Sequence, residues 1–393
     1  MIEEQPLNRK KNIPQIRFQN YEDGWDVEKL KNIFGTIRNA FVGTATPYYV
    51  EKGKFYLESN NVKNGKINYI SQIFINDEFY EKQRDKWLKT NDIVMVQSGH
   101  VGHTAVIPEE LNNTAAHALI VFTDYKKEVN PHFLNYQFQS NDKRKELDLI
   151  STGNTIKHIL ASEMKNFKMD FPTVDEQSAI GSLFRTLDDL LASYKDNLTN
   201  YQALKATMLS KMFPKAGQTV PEIRLDGFEG EWERKNLSEG CNINSGRDYK
   251  HLKDGDIPVY GTGGYMLSVN DKLSDEDAIG IGRKGTIDKP YLLSAPFWTV
   301  DTLFYVTCKV GYDLYYLFLI FQKVRWKKFD ESTGVPSLSK KTIEKVVSKF
   351  PSLPEQQAIG SYFSNLDNLI NSHQEKISQL ETLKKKLLQD MFI

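Results

Sequence analysis

Two sets of loop residues carry side chains able to hold a phosphate or the edge of a base. In the amino-terminal half these are Asn60, Lys63 and Lys66, then Ser98 and His100 in a glycine-rich turn. In the carboxy-terminal half they are Arg247, Tyr249 and Lys250, then Arg283 and Lys284. Amides, hydroxyls and cations of these kinds bond to phosphate oxygens and to base edges. Taken singly, each is equally an ordinary solvated loop residue. The same holds for Lys143, Arg144 and Lys145, and for Lys323, Arg325, Lys327 and Lys328, on helices near the ends of the two segments.

Other chemistry is not expected of this chain. Gly280, Gly282 and Gly285 satisfy the spacing of a dinucleotide-binding turn, but that turn must open a helix and Asp288-Lys-Pro290 blocks one. His100, His103 and His117 lack a carboxylate or cysteine at metal-ligand spacing. No H-E-x-x-H, Walker loop, G-x-S-x-G or N-P-P-[FY] motif occurs. The reading is therefore no catalytic residue, no metal and no cofactor on the chain itself.

What would position the loop residues is a duplication. Phe171-Pro-Thr-Val-Asp-Glu-Gln-Ser-Ala-Ile-Gly returns as Phe350-Pro-Ser-Leu-Pro-Glu-Gln-Gln-Ala-Ile-Gly, and about 18 of the 43 positions from Phe171 to Phe213 are identical at an offset of 179. Pro14-Gln-Ile-Arg-Phe with Trp25 returns at 207 as Pro221-Glu-Ile-Arg-Leu with Trp232. Ser151-Thr-Gly matches Ser332-Thr-Gly at 181, and Pro131 to Gln139 aligns with Tyr312 to Ile320 at the same offset. The falling offset makes the first unit longer by about 28 residues (207 minus 179). Similar frames thus hold dissimilar inserts, each of short strands and turns, with Asp92 to Gly102 and Asp277 to Ile287 as matching strand-and-glycine-turn segments.

Each repeated motif opens a long amphipathic segment. Ile180, Leu187, Tyr194, Tyr201 and Met208 fall seven apart, beside Phe184, Leu191, Leu198 and Met212, a column broken at Lys205. The second copy gives Ile359, Leu366, Leu380 and Leu387, beside Phe363, Ile370, Ile377 and Met391, broken at His373 and Lys384. These stripes predict two helices roughly 57 Å long, paired antiparallel as a coiled coil. Its interface would include Ile180, Phe184, Leu187, Leu191, Leu198, Ile359, Phe363, Leu366, Ile370 and Ile377.

Composition sets the outer bounds. The 393 residues allow two or three domains, and 51 basic residues balance 51 acidic ones, so any polyanion must meet a local basic surface. The start, Met1-Ile-Glu-Glu-Gln-Pro, lacks a signal peptide's apolar stretch, and the apolar run Leu314 to Phe321 is too short to span a bilayer. Cys241 and Cys308 are the only cysteines and lack a paired spacing, which fits a reducing compartment. The expectation is a cytoplasmic protein that does not contact membrane.

Two variable inserts alternating with two helices, each introduced by F-P-x-x-x-E-Q-x-A-I-G, closely resemble the specificity subunit of Type I restriction-modification systems. The Ser-Thr-Gly segments, Leu57 to Ile67 and Asp92 to Pro108 share in that resemblance. It implies an α+β, pseudo-two-fold protein: target recognition domains at 1–170 and 215–349, and spacer helices at 171–214 and 350–393. Each domain would read half of a bipartite double-stranded DNA target. The helices would set the gap between the halves and dock two modification subunits. Those partners would carry S-adenosylmethionine and methylate adenine; two restriction subunits would add ATP- and Mg2+-dependent translocation and cleavage. Two readers on one rod would meet half-sites about 34–36 Å apart. The alternative is a coiled-coil scaffold whose globular ends bind other proteins.

Overall fold

A computed structural model describes residues 12–153 and 156–393. The reading of the chain's start therefore lies outside the described residues. Two compact units emerge: one joins the chain up to Tyr194 with Lys376–Ile393, the other is Lys195–Glu375. Two helices, Val174–Lys211 and Leu353–Asp390, contribute one end each to both units.

The first long helix starts where Thr173 Oγ1 accepts from the Glu176 amide, carries Asp175 and Glu176 on its first turn, and stops short of Pro214. In the first unit Asp188 meets Lys384 and the Phe184 ring meets Phe392. In the second Lys205 meets Asp367 and Tyr201 meets His373. Ascending positions on one helix find descending positions on the other, so the pairing is antiparallel in each unit.

Both units follow one plan. A short antiparallel ribbon, Asp26–Lys29 with Lys168–Phe171 or Glu233–Asn236 with Val347–Phe350, leads into the long helix. An antiparallel sheet follows, in the order Phe34–Asn39, Leu119–Tyr125, Ile93–Val96, Thr104–Val106. Its counterpart runs Cys241–Ser245, Leu303–Cys308, Ala278–Gly282, Tyr291–Leu293. Alternation along the first sheet sends Ile93, Met95, Ile120 and Phe122 into the helix-side core and Val94, Val96, Leu119 and Val121 into a second core. That second core is closed by a smaller sheet, which differs between units: four short strands in the first, and in the second two longer strands with a two-residue third.

Most of the first unit's extra length precedes its helix Pro131–Gln137, where the offset has already fallen from 207 to 183 (313 minus 130). That unit has a hairpin, Val62–Lys63 with Lys66–Ile67, and a helix Asn141–Ile150. The hairpin accounts for a difference in polarity between the buried helices Pro131–Gln137 and Leu314–Lys323. Asn135 bonds both Thr104 and the Gly65 carbonyl of the hairpin, at 2.7 and 2.9 Å. Gln137 donates to the Asp170 carbonyl at 2.8 Å. The second helix is caged by apolar neighbours, and Tyr316 to Phe321 are all buried. These helices are capped by Asn130 and Asp313, so they align at 183 (313 minus 130), two residues from the offset of 181 that sequence alone suggests.

Candidate nucleic-acid interface

The repeated motifs form a buckle at the ends of the long helices. In the first unit Arg17 grips Glu176 with two hydrogen bonds of 2.7 Å, and the Ile16 amide donates to the Asp390 carbonyl at 2.8 Å. In the second, Arg224 grips Glu355 at 2.8 and 2.7 Å, and the Ile223 amide donates to the Lys211 carbonyl at 3.0 Å. Each P-x-I-R segment therefore ties the start of one long helix to the end of the other. Fork-shaped pairing of guanidinium and carboxylate fixes angle as well as distance, and both carboxylates are buried.

The adjacent glutamine attaches the insert to this buckle. Gln177 donates to the Pro172 carbonyl and accepts from the Asn130 amide; Gln356 does the same with Pro351 and Asp313. Asn130 and Asp313 in turn cap the two buried helices. Gly181 and Gly360 complete the motif because a Cβ would sit 2.9 Å from Asn130 Oδ1 and 2.5 Å from Asp313 Oδ1. Trp25 and Trp232 seal each buckle against Phe392 and Phe213, the final aromatic residues of the two repeats.

On these equal frames sits a matching three-rung ladder. In the first unit Gly99 donates to the Lys157 carbonyl, Ile159 donates to the Gln97 carbonyl, and Ser98 bridges His158. In the second, Gly285 donates to Pro336, Leu338 donates to Arg283, and Lys284 bridges Ser337. Gly99 and Gly285 have φ of 79° and 91°, the left-handed region where glycine is unstrained. Backbone geometry is thus the same in the two ladders while the side chains differ: Gln97 and Ser98 against Arg283 and Lys284.

Of the first unit's candidates, Ser98 is half-buried on the ladder and His100 is exposed in the turn beyond it. Asn60 and Lys63 are exposed on the hairpin side. Lys66 reaches the long helix, donating to the Asp188 carbonyl at 3.3 Å. In the second unit Arg283 and Lys284 are exposed on the ladder, with the Arg283 guanidinium 5.9 Å from the Phe304 ring centre. Arg247, Tyr249 and Lys250 form a separate loop after Cys241–Ser245; Arg247 is exposed, its backbone is held by Trp298 and Thr299, and Tyr249 packs on Trp298's cluster. Ile180, Phe184, Leu187 and Leu191 lie in the first unit's core with half-buried Ile377, Phe363, Leu366 and Ile359 in the second's; Ile370 is buried and Leu198 half-buried.

Several cations are spoken for. Lys143 is buried against Asp170 at 2.9 Å, and Lys323 donates to the Leu209 carbonyl beside the Phe213 ring, where burial lowers its pKa. His103 accepts from the Asn64 amide and is held below its ordinary pKa by burial, while His117 pairs with Glu58. Among the described residues no three His, Cys, Asp or Glu gather as metal ligands, and no helix is long and apolar enough to cross a membrane. Sequence reasoning missed Lys340, which lines the concavity beside Arg283 and Lys284. Nothing distinguishes it in sequence from Lys341, a residue later at the same helix start.

Two like units, each a loop-bearing sheet domain buckled to antiparallel helices, define a duplicated recognition protein. The chain matches the family described as Type I restriction modification DNA specificity domain over residues 43–221 and 229–382, and it belongs to that family. It is similar to the Type I restriction enzyme MjaVIII specificity subunit of Methanocaldococcus jannaschii, 20% identical across 97% of this chain and 95% of that one. It also resembles the putative type I specificity subunit S.MgeORF438P of Mycoplasma genitalium, 23% identical over 67% of this chain and 72% of the relative. The fold is shared with the crystal structure of a Type I restriction-modification system S subunit from M. genitalium, at a TM-score of 0.70 and 18% identity, covering 97% of this chain and 99% of that one.

Proposed function

We propose that this chain is the sequence-reading subunit of a Type I restriction-modification complex, each unit contacting one half of a bipartite duplex target. The observation that carries this reading is the pair of ladders: identical backbone bonding bearing Gln97 and Ser98 in one unit and Arg283 and Lys284 in the other. One frame with unlike side chains suits two DNA-facing surfaces that grip the two halves of an asymmetric target differently. Asn60, Lys63, Lys66, Ser98, His100, Arg247, Tyr249, Lys250, Arg283 and Lys284 are the residues proposed to touch DNA, Lys66 in the added role of tying its hairpin to the helix.

The long helices offer the same surface twice. Exposed Leu190 and Leu383 fall at one level of the first unit's helix pair, and exposed Leu204 and Leu369 at one level of the second's. Leu190 and Leu369, like Leu204 and Leu383, are 179 residues apart, the repeat's own offset. Two equivalent apolar ledges fit two copies of one partner, in this reading the modification subunits. Those subunits would bind S-adenosylmethionine and transfer the methyl group to adenine, while restriction subunits supply ATP- and Mg2+-dependent cleavage in the cytoplasm. This chain contributes recognition and assembly.

The test is to map methylated adenines in a host carrying the complete system, then to repeat the mapping after exchanging the loops of one unit for those of a relative. One half-site should change and the other should persist. Change in both halves, or methylation without a bipartite motif, would sink the reading.

A further inference from the structure

We propose that Arg283, Lys284 and Lys340 form a phosphate anchor for duplex DNA that the second unit has and the first lacks; this rests on the DNA-reading function proposed above. The three side chains converge on a concavity of about 330 Å³, floored by Phe304 and edged by Ser245 and Ser337. Arg283 is pre-set: its guanidinium lies over the Phe304 ring and donates to the Asp301 carbonyl at 3.4 Å. Among the described residues neither Arg283 nor Lys284 has a carboxylate partner. Lys340 has only half-buried Glu344, at 3.7 Å. Asp330 and Glu331 accept from Ser337 and Ser339 at the rim but pair with neither Arg283 nor Lys284, so these two cations are what a phosphate oxygen entering the concavity would meet.

Phosphate is favoured over a base edge by shape and by comparison. Base edges lie deep in a groove and are reached by projecting elements, whereas a phosphate stands out from the duplex and fits a recess. At the equivalent places the first unit carries Gln97, Ser98 and Ala161, where 340 minus 161 gives the repeat's offset of 179. Its ladder lysine, Lys157, is paired with Asp148 at 2.8 Å. The same frame is thus neutral in one unit and cationic in the other, so the hold on the backbone is lopsided.

The first unit's own side chains supply a substitution that its matching ladder already accommodates. In the chain assembled with its modification subunits, R283Q/K284S/K340A should flatten the plot of log affinity against log salt by about 1 unit, near 0.9 for the one phosphate no longer neutralised. The methylated sequence in cells should stay the same, and thermal unfolding of the variant checks that the frame survives. The converse graft, Q97R/S98K, should steepen the plot. An unchanged slope in the triple variant, or an altered half-site, would overturn the anchor. Absence of salt-dependent DNA binding by the unsubstituted complex would instead overturn the proposed function as well.

Discussion

Asp188 on the first long helix receives Lys384 of the second at 2.6 Å, and the repeat generates the same pair again: Asp367, 179 residues on, receives Lys205, 179 residues before Lys384, also at 2.6 Å. Lys205 and Lys384 are, with His373, the residues that interrupt the apolar columns. A lone lysine on such a seam is costly, but one matched to a carboxylate at a single register penalises every slipped or parallel pairing. Each acid also accepts from a tyrosine hydroxyl, Tyr136 at 2.8 Å and Tyr315 at 2.5 Å, but Asp188 is the more enclosed, with side-chain exposure of 8% against 22%. Asp188→Asn should therefore cost about 3 kcal/mol and Asp367→Asn about 1 kcal/mol. Urea unfolding measures both; equal small losses would mean the seam is held by its apolar residues alone.

Alanine in place of a mid-helix glycine ordinarily stabilises by about 1 kcal/mol. At Gly360 the sign should reverse, because the new methyl would press on Asp313 Oδ1, which is fixed by its bond to the Tyr316 amide at 2.8 Å. Gly360→Ala should lose about 2 kcal/mol and Gly181→Ala, with its longer approach to Asn130, somewhat less. A raised melting temperature in either variant would show that the insert does not pack on the helix through this glycine.

The frame was readable in the chain because it is written twice. Repetition exposed the helices, the Arg-bearing P-x-I-R segments and the matching strands. What repetition could not convey was partnership at long range. Arg17 and Glu176 are 159 residues apart, and no local spacing links them. The loops resisted for a related reason: Lys66 and Lys143 look like solvated cations, yet one reaches the long helix and the other is buried on Asp170. Ladder positions become comparable between units only when backbone hydrogen bonds, rather than residue numbers, set the correspondence, since Ser98 and Lys284 differ by 186 while His158 and Ser337 differ by 179.

The two cysteines lack a paired spacing but face one another as partners across neighbouring antiparallel strands. Burial pushes the Cys241 thiol up to about 12 and Cys308 to about 11. Only the thiolate attacks, so at pH 7.5 well under roughly one Cys308 in a thousand is reactive. Neither should be modified by a thiol reagent in the folded protein within minutes, and both should be modified at once in denaturant. Fast labelling of native protein would mean the strands carrying them open readily.

His117 sits between Glu58 and the Gly43 carbonyl, at 3.3 and 3.0 Å. The bond to the Glu58 carboxylate raises the imidazole's pKa against the opposing effect of burial, and the imidazolium lowers that of Glu58, which also accepts from the Tyr49 hydroxyl. A raised histidine stabilises the fold fully below its unfolded pKa, near 6.5, and the gain is lost as pH rises through the folded value. A lowered glutamate stabilises above its own unfolded pKa, near 4.3, and that gain is lost as pH falls through the folded value. The pair thus contributes most from about pH 4.5 to 6.5. The melting temperature of His117→Gln should trail the parent most at pH 5.5 and converge toward it by pH 8. A gap that is constant or widens over that range would place the stabilisation in packing of the ring against Tyr56, which it stacks upon, and not in the charge.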